Sequence, residues 1–187
     1  MKNKKGDLMK LLFISDIHGI KTNLPKIKKI FKRKNCDKLV VLGDLYYNYT
    51  KNINDKNYDK DYVKSFLESF GDQIICLQGN CDSNEDISNS KFSIINQIDI
   101  IRTINEDLYI THGNLYNESN WNKPYTTLIY GHMHIPFIKQ IETNTYINPG
   151  SISLPRQNNK PTYLLYDEKK FVIYDLDDNI ICEKIVQ

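Results

Sequence analysis

The chain has 187 residues, 40% of them hydrophobic and 26% charged, with a formal net charge of +2 at pH 7. That length suits one domain over residues 1–187 with a substantial core at about 9–185. The near-neutral balance argues for neither a strong nucleic-acid surface nor a membrane surface, and no segment is long and apolar enough for a membrane span.

A basic start, Met1 to Lys10, leads into the apolar run Leu11 to Ile14. This run is too short for the hydrophobic region of a secretory signal, and Lys10 to Ile14 reads instead as a short buried strand. A helical pattern follows, with Leu24, Ile27, Ile30 and Phe31 on one face. Thr22 or Asn23 can cap it, and Pro25 fits its first turn. Leu39 to Leu42 is a second strand, and the polar, aromatic stretch Tyr46 to Asn57 is a long loop. The clearest helix comes next. Asp59 and Asp61 lie at its positive end, Val63, Phe66, Leu67 and Phe70 share a face, and Gly71 is placed to stop it. Ile74 to Leu77 is the third strand, and this β-α-β-α-β order predicts parallel strands.

Beyond residue 92 the pattern changes to short strands with turn punctuation and no obvious long helix. The candidates are Phe92–Ile95, Asp99–Ile104, Leu108–Thr111, Thr127–Tyr130, Phe137–Ile141, Tyr146–Asn148, Tyr163–Tyr166, Phe171–Tyr174 and Ile180–Ile185. A parallel-rich sheet packed on a more antiparallel one, with helices outside, is the expected α/β architecture. Cys36, Cys76, Cys81 and Cys182 show neither paired zinc spacing nor a disulfide framework. Reduced thiols and a cytoplasmic location are therefore expected, with Cys76 a small core residue.

The chemistry concentrates at strand ends. All four histidines sit beside glycine turns, in Asp16-Ile17-His18-Gly19, Thr111-His112-Gly113 and Gly131-His132-Met133-His134. Gly43-Asp44 and Gly79-Asn80-Cys81-Asp82 lie between them, and each motif follows an apolar run. In open α/β sheets ligands bind outside the carboxyl ends of strands, so five such loops meet on one rim. Glycines 19, 43, 79, 113 and 131 are expected to take the tight, positive-φ turns that this crowding demands. Two carboxylates, four imidazoles and one amide oxygen exceed the needs of a single tetrahedral zinc. They suffice for two divalent ions if one carboxylate bridges, leaving positive charge to hold a phosphate and acidify a water.

These motifs, in this order, resemble the calcineurin-like metallophosphoesterases. The Asn148-Pro149-Gly150-Ser151 turn and the short chain are similar to the small YfcE-like phosphodiesterase branch. The resemblance implies a four-layer α/β/β/α sandwich. It implies one metal held by Asp16, His18, Asp44 and His134, and another held by Asp44, Asn80, His112 and His132. The implied nucleophile is a metal-bridging hydroxide, with Asp44, Asn80, Cys81 and His112 the candidate catalytic residues. Manganese is the leading cofactor expectation, with nickel, cobalt, iron or zinc as alternatives.

Where many relatives place a leaving-group acid after the metal-binding asparagine, this chain has Cys81, as the YfcE-like branch does. Asn114 stands where relatives often carry a further histidine. The expected substrate is a small or nucleotide-like phosphodiester. A phosphomonoester at the same site and a retromer-subunit-like binding scaffold are the competing readings, and the branch resemblance implies self-association. Several roles stay open. Asp82 can hold a ligand histidine or cap the next loop. Tyr46, Tyr47 and Tyr49 can stack on a base, though thirteen tyrosines make a chance cluster easy. Arg156 can touch a phosphate, but a surface arginine is the simpler reading, as loop packing is for Trp121.

Overall fold

Alternation of apolar side chains decides how the first strand is used. In β1 (Leu11–Ile14) all four residues are buried, Leu11 and Phe13 toward one core and Leu12 and Ile14 toward another. A strand apolar on both faces must be covered on both faces. The computed structural model, which describes residues 9–47 and 56–186, supplies that cover with a layer of helices on one side and a second sheet on the other.

The elements run β1, α1 (Leu24–Arg33), β2 (Lys38–Val41), α2 (Lys60–Glu68), β3 (Ile74–Leu77), α3 (Asn84–Ser88) and β4 (Ile94–Ile95). Then come β5 (Ile98–Arg102), β6 (Asp107–Thr111), β7 (Thr127–Tyr130), β8 (Pro136–Ile141), β9 (Asn144–Pro149), β10 (Thr162–Tyr166), β11 (Lys170–Asp175) and β12 (Ile180–Ile185). The first sheet has the order β12-β11-β10-β1-β2-β3-β4 and the second β5-β6-β7-β9-β8. The β1-β2-β3-β4 block is parallel, as the β-α-β-α-β order predicts. The contrast expected between a parallel sheet and an antiparallel one is corrected. The first sheet continues antiparallel through β10 to β12, and the second has a parallel centre, β6-β7-β9, between antiparallel edges. Hairpins at the sheet edges impose the antiparallel pairs, because a tight turn cannot join parallel neighbours.

The apolar faces of α1 and α2 pack on the outer face of the first sheet, where Phe31, Phe66 and Phe70 meet edge-on. Asn23 takes the N-cap position of α1 but makes no cap bond, its amide going instead to the Ile152 carbonyl at 2.8 Å. Asp59 does cap α2, accepting from the Tyr62 amide at 2.9 Å. This helix ends at Glu68, before Phe70, and Gly71 (φ +53°) opens a short 3-10 turn rather than stopping the helix directly.

Between the sheets, Leu11, Phe13, Val40, Leu108, Ile110, Ile129, Leu164 and Tyr166 form the second core. The far side of the second sheet is the fourth layer. There Leu128, Tyr130 and Tyr146 are covered by Trp121, whose ring meets Tyr109 edge-on and whose Nε1–H donates to Thr126 at 2.8 Å. The covering segment, 113–126, is built of turns and bends. Among the described residues no helix is long and apolar enough to cross a membrane.

Candidate metal centre

Five loops leave the carboxyl ends of β1, β2, β3, β6 and β7, carrying Asp16 and His18, Asp44, Asn80, His112, and His132 with His134. The backbone ties them together. Asp16 N donates to Gly43 O at 3.2 Å, His18 N to Asp44 O at 2.9 Å, and Gly131 N to His112 O at 2.9 Å. The two sheets are bridged by His132 N, which donates to Asp16 Oδ2 at 3.1 Å.

The expectation that glycines take the positive-φ positions holds at Gly19, Gly43 and Gly113 and fails at Gly79 and Gly131. Those two glycines serve close approach. A Cβ on Gly79 would run into the amide and carboxylate of Asp44, and one on Gly131 into the Ser15 hydroxyl. The left-handed backbone falls on the polar residues themselves: Asp16 (φ 57°), His18 (52°), Asp44 (54°), His132 (63°) and His134 (60°). Such conformations cost about 1–3 kcal/mol each and persist where the surroundings over-determine them, commonly at functional sites.

The side chains converge. His18 Nε2 lies 3.6 Å from Asp44 Oδ2 and 3.8 Å from Asp16 Oδ1, and His134 Nε2 lies 3.2 Å from Asp16 Oδ1. On the other side, His112 Nε2 is 3.4 Å from Asp44 Oδ1 and 3.0 Å from Asn80 Oδ1. The His132 ring stands edge-on to His112 with centroids 5.2 Å apart. Asp44 therefore turns one oxygen toward His18 and the other toward His112.

Three of the four imidazoles are oriented from behind. His18 Nδ1 donates to Tyr47 O at 2.6 Å, His112 Nδ1 to Leu42 O at 2.7 Å and His134 Nδ1 to Leu154 O at 2.7 Å. A proton fixed on Nδ1 aims the Nε2 lone pair into the site, the arrangement that metal-ligating histidines use.

The electrostatics suits a bound cation. Asp16 Oδ1 is buried with no hydrogen-bond partner, since His134 Nε2 is near but not aligned as a donor. Burial would raise the Asp16 carboxyl, yet the His134 and His112 imidazoles outweigh it and hold it below its usual range. Asp44 behaves alike: burial raises it, and His112, the Cys81 amide and His18 together pull it well below. His112 is opposed by burial but raised to about 9 by Asp44 and Asp16, so a proton takes the place a cation would fill. His134 is raised by Asp16 against burial, whereas burial lowers His18 and His132. The mixed donors form three groups within coordination reach: Asp16, His18 and His134; His18, Asp44 and Cys81; and Asp16, Asp44 and His112.

Asp82 neither holds a histidine nor caps the next helix. Its Oδ1 accepts from the Leu45 and Tyr46 amides at 2.7 and 3.3 Å and its Oδ2 from Gly79 N at 2.9 Å, stapling the Asp44 loop to the Asn80 loop. Ser83 caps α3 instead. The Asn148-Pro149-Gly150-Ser151 turn is a brace. Asn148 donates to Gly131 O at 2.6 Å and Ser151 to Asp16 O at 2.9 Å. Tyr46 is a core residue bonded to Ser90 at 3.0 Å, Tyr47 is exposed outside the cavity lining, and Tyr49 lies outside the described residues. A cavity of about 540 Å³ opens over the cluster, lined by His18, Asp44, Asn80, Cys81, His132 and His134 on one side and by Leu154, Pro155 and Arg156 on the other. Of this second wall the sequence offered only Arg156, as a residue that can touch a phosphate; Leu154 and Pro155 carried no signal beyond their short spacing from the Ser151 turn.

Residues 9–170 match the model of the calcineurin-like phosphoesterase superfamily domain. The phosphodiesterase YfcE of Escherichia coli is 29% identical over 180 residues, covering 95% of this chain and 98% of that protein. The solved structure of the Escherichia coli phosphoesterase Yfce aligns with a TM-score of 0.90 at 30% identity, over 96% of this chain and 100% of that one. A probable metallophosphoesterase of Mycoplasma genitalium is 28% identical over 182 residues, covering 90% of this chain and 93% of its own. At 18% identity, vacuolar protein sorting 29 of Cryptosporidium parvum shares the fold, with a TM-score of 0.65 over 96% of this chain and 99% of that one.

Proposed function

This chain belongs to the calcineurin-like phosphoesterase superfamily and is a metal-dependent phosphoesterase, and from that membership we propose that it hydrolyses phosphodiesters at a centre of two divalent transition-metal ions. The observation that carries the reading is the splayed Asp44 carboxylate, one oxygen toward His18 and the other toward His112. One donor set is then Asp16, His18, Asp44 and His134, and the other Asp44, Asn80, His112 and His132. Bound there, the two ions would supply Lewis acidity that acidifies a water to serve as the nucleophile and would neutralise charge on the phosphoryl oxygens.

The chain's own groups do the rest. The carbonyls of Tyr47, Leu42 and Leu154 keep the donor nitrogens of His18, His112 and His134 pointed inward. Asp82 fixes the Asp44 and Asn80 loops against each other. Cys81 N holds Asp44 Oδ1 at 2.9 Å, while burial and the Asp44 charge push the Cys81 thiol far above its ordinary value. Even at its ordinary value a thiol is a weaker acid than imidazolium, which favours esters whose leaving oxygen needs little protonation. Arg156 alone among the described lining residues is a lysine or arginine, which suits a singly charged diester better than a dianionic monoester. A binding-scaffold reading leaves the inward-aimed donor set without a use.

The test is turnover of bis(p-nitrophenyl) phosphate against p-nitrophenyl phosphate, before and after exhaustive chelation and with manganese, nickel, cobalt, zinc or magnesium restored. Metal-dependent turnover favouring the diester is expected, and Asp44→Asn loses metal and activity together. Undiminished hydrolysis after chelation overturns the reading.

A further inference from the structure

The wall of the cavity opposite the metal-binding motifs is the segment Leu154-Pro155-Arg156. Its backbone is fixed to the donor set itself. Leu154 O accepts from His134 Nδ1 at 2.7 Å, Arg156 N donates to His134 O at 3.0 Å, and Leu154 N is held by the Ser151 hydroxyl at 2.7 Å. Arg156 O in turn accepts from Asn159 N at 3.2 Å and Asn159 Nδ2 at 2.8 Å. Pro155 restricts the chain immediately before Arg156. The residue that orients His134 is thus two positions from a cation facing the same cavity.

Elsewhere in the chain some cations are already paired. Arg33 is engaged by Asp178 at 2.5 Å, and Lys160 by Asp175 at 3.0 Å. The Arg156 side chain is exposed and has no ion pair or hydrogen bond among the described residues. A rigid backbone carrying an unpaired planar fork at the mouth of an anion site is the arrangement that recognises phosphoryl oxygens in two-point fashion.

We infer that Arg156 is a substrate-binding residue whose guanidinium takes a non-bridging phosphoryl oxygen of the phosphodiester. This rests on the phosphodiesterase reading and adds to it the group that fixes the ester's orientation. It assigns Arg156 to binding in ground and transition states alike, so its loss acts mainly on KM.

The experiment compares manganese-loaded wild type with Arg156→Ala, Arg156→Lys and Arg156→Gln. It reads kcat and KM for bis(p-nitrophenyl) phosphate, the affinity for inorganic phosphate by calorimetry, and metal content and melting temperature. Arg156→Ala and Arg156→Gln are expected to raise KM and to weaken phosphate binding roughly ten- to a hundredfold, with kcat, metal content and melting temperature little changed. Arg156→Lys keeps the charge but loses the fork, and should fall between. Unchanged KM and unchanged phosphate affinity in Arg156→Ala overturn the assignment while leaving the phosphodiesterase reading intact. A wild type that binds phosphate but turns over no diester removes the phosphodiesterase reading, and the phosphate arm still decides whether Arg156 holds the anion.

Discussion

His18 Nε2 and His134 Nε2 face each other across 3.3 Å, each imidazole bonded through its Nδ1 to a backbone carbonyl. Two lone pairs aimed at one point repel unless a proton or a cation lies between them. The same holds around Asp16 Oδ1, which is buried and accepts no hydrogen bond. The folded chain therefore carries electrostatic tension that a divalent ion relieves, and metal binding should add directly to folding stability. At a free-metal concentration a thousandfold above Kd the gain is about 4 kcal/mol for each ion bound, or roughly 8–16 °C in Tm per ion for a chain of this size. Scanning calorimetry with EDTA and then with excess manganese measures it. Superimposable transitions in the two buffers would falsify the metal centre.

Gly79 and Gly71 make a matched pair of opposite character. Gly79 has an ordinary backbone conformation, yet a Cβ there would meet the Asp44 amide and carboxylate. Gly71 has φ +53° with nothing within 4 Å of a Cβ. Gly79→Ala should displace Asp44, costing ~1–3 kcal/mol in stability and most of the metal affinity. Gly71→Ala should cost about 1 kcal/mol and leave metal binding and turnover unchanged. Urea unfolding with metal titration separates the two, and equal metal affinity in both variants would contradict the close-approach role of Gly79.

Periodicity and turn residues made most of the strands and the two longer helices legible, because β1, β2 and β7 are apolar runs and α1 and α2 each carry one apolar face. The centre was legible because all four histidines lie in turns that directly follow such runs. What stayed hidden has physical reasons. The antiparallel half of the first sheet depends on β10 pairing with β1 from the other end of the chain, and local pattern does not encode that. Helix α3 is five residues long with no buried face, so it leaves no periodic signal. The roles of Gly79 and Gly131 depend on a neighbour from another loop, which spacing along one chain cannot reveal. Asp82 was ambiguous because its partners are backbone amides, which have no sequence signature.

Asp82 gives a pH dependence that can be isolated. Burial is the largest influence and raises its carboxyl to about 6, against an ordinary value of 3.8, with the Asp44 charge adding to it. The folded protein therefore holds the Asp82 proton more tightly than the unfolded chain. This contribution is fully present below pH ~4 and is lost as pH rises through about 6, by no more than about 3 kcal/mol. Asp82→Asn cannot titrate, although it surrenders the acceptor for Gly79 N. In EDTA, urea unfolding should show wild type performing better relative to Asp82→Asn at pH 4.5 than at pH 7.5. A gap that does not change with pH contradicts the buried charge.

Cys81 lines the cavity beside Asp44, and its surroundings oppose ionisation. Burial acts first, then the Asp44 carboxylate beside it, and both push the thiol up. Alkylating reagents attack thiolate, so in metal-free protein at pH 8 carbamidomethylation of Cys81 should run roughly a hundredfold slower than that of free cysteine. Peptide mass spectrometry resolves Cys81 from the other three thiols, and alkylation as fast as free cysteine would contradict the raised thiol. Even at its ordinary value a thiol is a weaker acid than imidazolium, and that sets a limit on catalysis. Leaving oxygens of high basicity need an acid that titrates nearer neutrality, which imidazole supplies and this thiol does not. Cys81→His should therefore raise the hydrolysis rate of an alkyl diester relative to a p-nitrophenyl diester by about tenfold or more, at unchanged metal content. An unchanged ratio would mean that the leaving group departs without help from this side of the cavity.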